Sequence, residues 1–181
     1  EFPQIGVLPY MLTLAGHGFY WFELSRPVEP VEEPAGPDTA ATSPVADSLL
    51  AAGRPATGSA ACANGEDPAR AFDGNLGTKW CAKGTGAAEL RVDLGAVRDV
   101  TGFVLKHAGL GGEATDLNTR GYAIATSVDG VVWSTAVTEA GSRSSRTYHP
   151  VTATPARYVR LTVTDVVARI PEFEVYGPTG S

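Results

Sequence analysis

The sequence is short of cysteine, positive charge and long apolar runs, and each shortage removes a class of function. Cys62 and Cys81 are its only thiols. They do not form the paired C-x-x-C of a zinc site, and no further cysteines could complete one. The chain has 14 Lys and Arg against 20 Asp and Glu, a net charge of −6, with no basic cluster. That removes the counterion-release contribution on which nucleic-acid binding depends. No apolar run approaches the roughly 20 residues that span a bilayer, and no basic segment followed by an apolar stretch marks the amino end. The expectation is no membrane span and no targeting signal, in what reads as a piece of a longer polypeptide. Catalytic signatures are missing too: there is no G-x-S-x-G, H-E-x-x-H or G-x-x-x-x-G-K, nor a recognisable nucleophile with its base or carboxylate pair. Catalysis by this chain is not expected.

Turn formers are plentiful: 21 glycines and 13 prolines in 181 residues, with 43% hydrophobic and 19% charged. The length supports one well-cored domain with an appendage, and the composition favours an all-β protein with a linker. The two cysteines flank the polar stretch "ARAFDGNLGTKWCAKG" (69–84). A disulfide between them would restrict the unfolded chain by about 3 kcal/mol and imply an oxidising compartment. Two buried free thiols are the other possibility.

Three zones differ in pattern. Residues 1–25 contain "FPQIGVLPYMLTLAGHGFYWFELS", aromatic and apolar runs broken at "AGHG", which predicts a β-hairpin that needs a partner surface. Residues 26–46 are rich in Pro, Glu, Ala and Thr without an apolar period, a solvated, disordered linker. Over 47–178 the pattern turns to strands, followed by a tail at 179–181. "ELRVDLG" alternates Leu90, Val92 and Leu94 with Glu89, Arg91 and Asp93, and "RYVRLTV" alternates Val159, Leu161 and Val163 with Tyr158, Arg160 and Thr162. Further strand-like runs are "TGFVLKH", "GYAIATS", "VVWSTAV", "RTYHPV" and "EFEVYG". Short strands between turn signals, with no long amphipathic helix, predict a jelly-roll β-sandwich.

The ordered signatures "AFDGNLGTKW", "LRVDLG", "YAIATSVDGVVW", "ARYVRLTV" and "IPEFEVYG" make the stretch from about Ser48 to Gly177 resemble the discoidin domain. This family, also called coagulation factor V/VIII type C, has bacterial members that overlap carbohydrate-binding module family 32. The stretches "KHAGLGGEATDLNTRGY" and "KWC" are similar to a subgroup attached to bacterial glycoside hydrolases. The first zone resembles the last strands of the carboxy-terminal β-sandwich of trehalose synthases in the α-amylase family. Together they imply the tail of a carbohydrate-active enzyme ending in a binding module. They pull apart over compartment: trehalose synthases are generally cytoplasmic, whereas discoidin modules and loop disulfides favour the cell exterior.

Hard cations such as calcium take six to eight oxygen ligands. Asp73 offers a carboxylate, Thr78 a hydroxyl and a carbonyl, and Ala71 and Asn75 further carbonyls, with Gly74 and Gly77 allowing left-handed backbone. Read alone, the loop is equally an Asp-Gly turn with an Asx hydrogen bond. The resemblance implies a structural Ca2+ site of Ala71, Asp73, Asn75 and Thr78, completed by Glu172 of the last strand, with Glu174 as the fallback.

For a sugar, the resemblance points to the loop "KHAGLGGEATDLNTRGY", with His107 at its start and Asn118 before the next strand touching ligand, and Glu113 and Arg120 as companions. His107 stands where relatives often carry Arg. Alternatively His107 and Glu113 pair with each other or with Arg120 to stiffen the loop; a zinc site of His107, Glu113 and His149 is the remote option. Trp80 and Trp133 fall at positions that usually pack the core, so an exposed Tyr122 or Tyr148 is the candidate stacking face. His149 is expected either to face solvent or to be a satisfied core histidine, and His17 to matter only within its turn. The implied function is a non-catalytic, calcium-stabilised carbohydrate-binding module, monomeric, that targets an attached glycoside-active enzyme to glycans. Galactose-type sugars lead and α-glucans follow. The alternatives are a protein- or cell-surface-adhesion domain and a structural domain that binds nothing.

Overall fold

A computed structural model describes residues 47–82, 87–164 and 168–179. The hairpin and linker expected over 1–46, with His17 and Trp21, lie outside the described residues. The strands are β1 (Asp47–Leu49), β2 (Ala56–Gly58), β3 (Trp80–Cys81), β4 (Ala88–Lys106), β5 (Tyr122–Ser127), β6 (Ser134–Glu139), β7 (Arg146–Val163), β8 (Arg169–Ile170) and β9 (Glu172–Pro178). Helical segments among the described residues are short 3-10 turns, at Pro68–Phe72, Ala108–Gly111 and Thr115–Leu117. The fold is all-β. One antiparallel sheet has the order β1-β9-β4-β7-β5-β6, with β2 also paired to β4, and β3 pairs with β8 in a second, two-stranded sheet.

Two strands are longer than the sequence suggests. "ELRVDLG" and "TGFVLKH" are halves of β4, which runs for 19 residues, and "RTYHPV" and "RYVRLTV" are halves of β7, which runs for 18. The turn-like residues between the halves of β4 are absorbed by register shifts between Asp93 and Arg98 and between Val100 and Gly102. Gly95, at φ +86°, takes the left-handed backbone that such an irregularity requires. The front half of β4 pairs with β2 and with Tyr158–Val163 of β7, beyond which lie β5 and β6; the rear half pairs with β9 and with the amino-terminal half of β7. Both long strands therefore serve both layers of a β-sandwich.

The shifts also decide which side chains face the core. Leu90, Val92, Leu94 and Val100 are buried from the front half, Phe103 and Leu105 from the rear. Strand side chains alternate with a period of two, so an odd insertion moves the apolar set between even and odd positions. Val159, Leu161, Val163, Ile124, Phe173 and Val175 meet them from β7, β5 and β9, and each buried aliphatic or aromatic side chain contributes about 1.5–3 kcal/mol. Phe173 is 5.9 Å from Phe72 and 6.2 Å from Phe103, ring centre to ring centre, which fastens the Pro68–Phe72 turn onto the core.

A hydrogen-bonded cluster surrounds the buried Tyr122. The Tyr122 hydroxyl lies 2.7 Å from Thr147 Oγ1 and 2.8 Å from His149 Nε2. Burial pushes the Tyr122 phenol above its ordinary range and holds His149 below that of a free imidazole. His149 falls between the two expectations, half-buried and satisfied by Tyr122, and Tyr122, only 1% exposed, cannot be a stacking face.

Cys62 and Cys81 are joined as a disulfide, with Cα atoms 5.4 Å apart. Of the two readings open from the sequence, the structure takes the cross-link. Replacing both cysteines by alanine is expected to lower unfolding stability by about 3 kcal/mol, with the same loss on adding reductant to the parent protein. Urea unfolding followed by far-UV circular dichroism measures both.

Candidate functional site

Two loops gather the polar side chains: the Asp73 loop, and the 107–121 connection between β4 and β5. The first follows the Pro68–Phe72 turn, whose N-cap Asp67 accepts from the Ala69 amide. Asp73 Oδ1 accepts from the Asn75 amide at 2.9 Å, both Asp73 oxygens lie within 3.0 Å of the Thr78 hydroxyl, and Asn75 Oδ1 accepts from the Gly77 amide at 2.9 Å. Gly74 carries the left-handed backbone at φ +73°, whereas Gly77 does not. The Gly74 amide points at both oxygens of Glu172, at 3.2 and 3.1 Å.

Glu172 is 3% exposed, and its carboxyl is raised to about 7. Burial is the main cause; the Gly74 amide and Lys106 oppose it, and the Asp73 and Glu174 carboxylates add to it. Glu174 is committed elsewhere, 2.6 Å from Lys106 Nζ and accepting from the Tyr176 hydroxyl. Thus Asp73, Asn75, Thr78 and Glu172 come together beside the buried Ala71, and the fallback does not join them. A buried carboxylate facing a second one, with hydroxyl and amide oxygens around, is the oxygen-rich donor set that suits a hard divalent cation.

In the second loop the structure corrects two expected ligand residues. His107 and Asn118 are both fully buried, so neither reaches a ligand at the surface. The His107 ring lies 3.1 Å from Thr147 Oγ1, and its amide donates to the Ser145 carbonyl. Asn118 Oδ1 accepts from the Gly109 amide at 2.8 Å, while Nδ2 donates to Ser145 Oγ at 3.1 Å and to the Arg143 carbonyl at 3.3 Å. A side chain at Gly109 would collide with Ser145, Thr115 and Asn118. These residues clamp the loop.

Glu113 and Arg120 are the members of the expected set that keep solvent-facing surface. Neither is paired as predicted. Glu113 Oε1 accepts from Arg169 Nη1 at 2.6 Å and lies 3.6 Å from Lys79 Nζ, which also bonds Glu66 at 2.9 Å. This chain of charges links the Asp73 loop, the second loop and β8. Arg120 Nη2 donates to the Asp116 carbonyl at 3.3 Å. The remote zinc option has no geometric support, since the metal-like cluster found among the described residues is Cys62, Glu66 and Cys81, whose sulfurs are already bonded to each other. Arg169 and Lys79 could not be found from the sequence, because both reach Glu113 across long chain separations.

Trp80 is buried, as expected. Trp133 is not in the core: it lies half-buried on the sheet face, with the guanidinium carbons of Arg91 and Arg160 4.8 and 4.5 Å from its ring centre.

Known proteins identify the arrangement. The F5/8 type C domain matches residues 55–173. The chain belongs to the F5/8 type C domain family. Chitosan-binding module 1 from a chitosanase/glucanase of Paenibacillus sp. IK-5 is 28% identical, with a TM-score of 0.62 over 72% of this chain and 99% of that one. The CpGH89 CBM32-5 module of Clostridium perfringens, solved with GalNAc-β-1,3-galactose, is 21% identical, with a TM-score of 0.62 over 71% and 99%. The N-terminal part is similar to the trehalose synthase/amylase TreS of Mycolicibacterium smegmatis, 74% identical over 27 residues. That match covers 15% of this chain and only 5% of the curated relative. F5/8 type C domains of this carbohydrate-binding group are non-catalytic, and this domain is such a binding module.

Asn118→Ala is expected to lower stability by about 1–3 kcal/mol, because it strands the buried Gly109 amide, and to broaden the amide resonances of residues 108–117. A second prediction concerns pH. In chelator-treated buffer Glu172 titrates near 7 in the native state and near 4.5 when unfolded, so between those values the native state holds the extra proton. Stability therefore falls as pH rises through that window, by up to about 3 kcal/mol, and Glu172→Gln flattens the slope. Denaturant titrations at stepped pH test this.

Proposed function

We propose that this F5/8 type C domain is a calcium-stabilised, monomeric carbohydrate-binding module that holds an attached carbohydrate-active enzyme near its polymer. The observation that carries the reading is the clamped 107–121 loop. Its buried residues fix the backbone, and the Arg169 and Lys79 contacts fix Glu113, so the partly exposed faces of Glu113 and Arg120 stand in a geometry set before ligand arrives, which lowers the ordering cost of binding. Asp116 is exposed on the same loop, as are Leu110 and Leu117, at 37% and 38%. His107 and Asn118 act here as positioning residues.

The cation would be held by Asp73, Asn75, Thr78 and Glu172 with the Ala71 carbonyl. It would neutralise a buried carboxylate and tie the Asp73 loop to β9, stabilising the fold by mass action. Galactose-type sugars are the expectation from the resemblance, with α-glucans second. Two features favour glucosamine polymers ahead of both: the 28% identity with a chitosan-binding module, and the net charge of −6 with Glu113 and Asp116 on the loop. The TreS-like N-terminal part supports attachment to an enzyme of α-amylase type.

The test is a calorimetric screen of the full chain, with calcium, against chitosan oligomers, galactosides and α-glucan oligomers. Weak, roughly millimolar affinity for short sugars and firmer retention on polymer are expected. Glu113→Gln should weaken binding about tenfold while the thermal midpoint stays within a few degrees. Calcium should raise the midpoint of the parent and leave Glu172→Gln unmoved. Silence across all three sugar classes from a folded, calcium-loaded chain would overturn the binding assignment.

A further inference from the structure

The outer face of the front sheet layer carries a second constellation, away from both loops. The alternation that buries Leu90, Val92, Val159 and Leu161 turns Glu89, Arg91 and Arg160 outward. Register places Arg91 directly opposite Arg160 on the neighbouring strand, and Thr57 of β2 opposite Arg91 on the other side. Like charges facing each other across a ladder are destabilising unless something compensates them. The compensation within the chain is incomplete. Glu89 lies 3.6 Å from Arg160 Nη1, with its own side chain 51% exposed. Arg91 makes no ion pair in the described residues, and Arg160 Nε is buried without a hydrogen-bond partner. Both guanidiniums are instead held against Trp133, whose indole Nε1 is anchored on the Gly130 carbonyl at 3.2 Å.

Beside this stack is a groove of about 330 Å3, lined by Thr57, Gly58, Ser59, Glu89 and Arg91. Its volume falls at the lower end of small-ligand sites. The floor approaches closely, since a side chain at Gly58 would meet the Glu89 carbonyl and Pro68. The groove thus offers hydroxyls, one carboxylate and the Arg91 guanidinium, which makes no ion pair among the described residues and stacks on the Trp133 ring. Planar guanidinium suits a carboxylate or sulfate group through paired hydrogen bonds, and hydroxyl and aromatic neighbours suit the ring that bears it.

We propose that the face formed by Arg91, Arg160 and Trp133, with the adjoining Thr57–Ser59 groove, is a binding site for an acidic saccharide, recognised through an anionic substituent on the sugar ring. This site does not depend on the 107–121 loop or on the cation, and it takes the opposite charge class from the sugar proposed there. The substituent is either a uronate carboxylate or a sulfate ester, and the probes separate the two.

The experiment is an NMR titration of the 15N-labelled full chain with trigalacturonate, with a sulfated galacto-oligosaccharide, and with a neutral galactotriose. Expected are saturable shifts of the Trp133 indole and of the Thr57, Ser59, Arg91 and Arg160 amides with at least one acidic probe, none there with the neutral sugar, and weakening as salt is raised. Arg91→Gln should reduce affinity about tenfold, the value of one good charge-assisted contact. Glu89→Gln removes the competing carboxylate and should tighten binding about threefold, a gain that misfolding cannot produce. The proposal is overturned if neither acidic probe moves these resonances at tens of millimolar, if the shifts fall only in the 107–121 loop, or if both variants bind as the parent does.

Discussion

β4 and β7 remain paired across the full depth of the sandwich, and everything else in the domain takes its position from that ladder. A backbone amide or carbonyl left unpaired inside a protein is costly, so a strand that must cross from one layer to the other does best to keep its partner with it. The register shifts between Asp93 and Gly102 let both strands turn without surrendering that pairing. The turn exchanges even for odd positions, and Leu90, Val92 and Leu94 from one half face Phe103 and Leu105 from the other across one core.

The functional groups are set by what closes the ends of the ladder. Where β4 leaves the sheet at Lys106, the chain enters a loop that would be loose on composition alone; the Asn118 amide and the His107–Thr147 contact hold it. β9 begins at Glu172 beside the same end of β4, bringing its buried carboxylate to the Gly74 amide. Polar groups sunk into the structure thus do the shaping, while the partly exposed Glu113 is held by Arg169 and Lys79 at the edge of the same loop. The flat sheet face is governed differently. Its outward residues meet because strand register puts them side by side, and Trp133 folds onto the resulting pair of guanidiniums.

Much of this was legible in the residues. The alternation in "ELRVDLG" and "RYVRLTV" gave the correct inward faces, and the order of signatures pointed to the correct family. Asp73, Asn75, Thr78 and Glu172 were named together and lie together. The misreadings have physical causes. "LGAVRDV" looks like a turn because its glycine and polar residues are those of a turn, yet here they make an irregularity within a continuing strand. His107, Asn118 and Tyr122 looked like recognition residues because histidine, asparagine and tyrosine are chemically apt for sugars; the same hydrogen-bonding capacity serves equally well to satisfy a buried loop, and residue type does not distinguish the two uses.

The sequence by itself determined which side chains could be buried, which loop is rich in oxygen-bearing side chains, and that no catalytic pattern stands out. These are local properties, written in composition, spacing and period. Tertiary structure alone decided that Glu113 is held by Arg169 and Lys79, that Glu172 rather than Glu174 meets the Asp73 loop, and that Arg91 and Arg160 share one tryptophan. Such meetings depend on strand register and on the bend of the ladder, and those are set by the packing of the whole core.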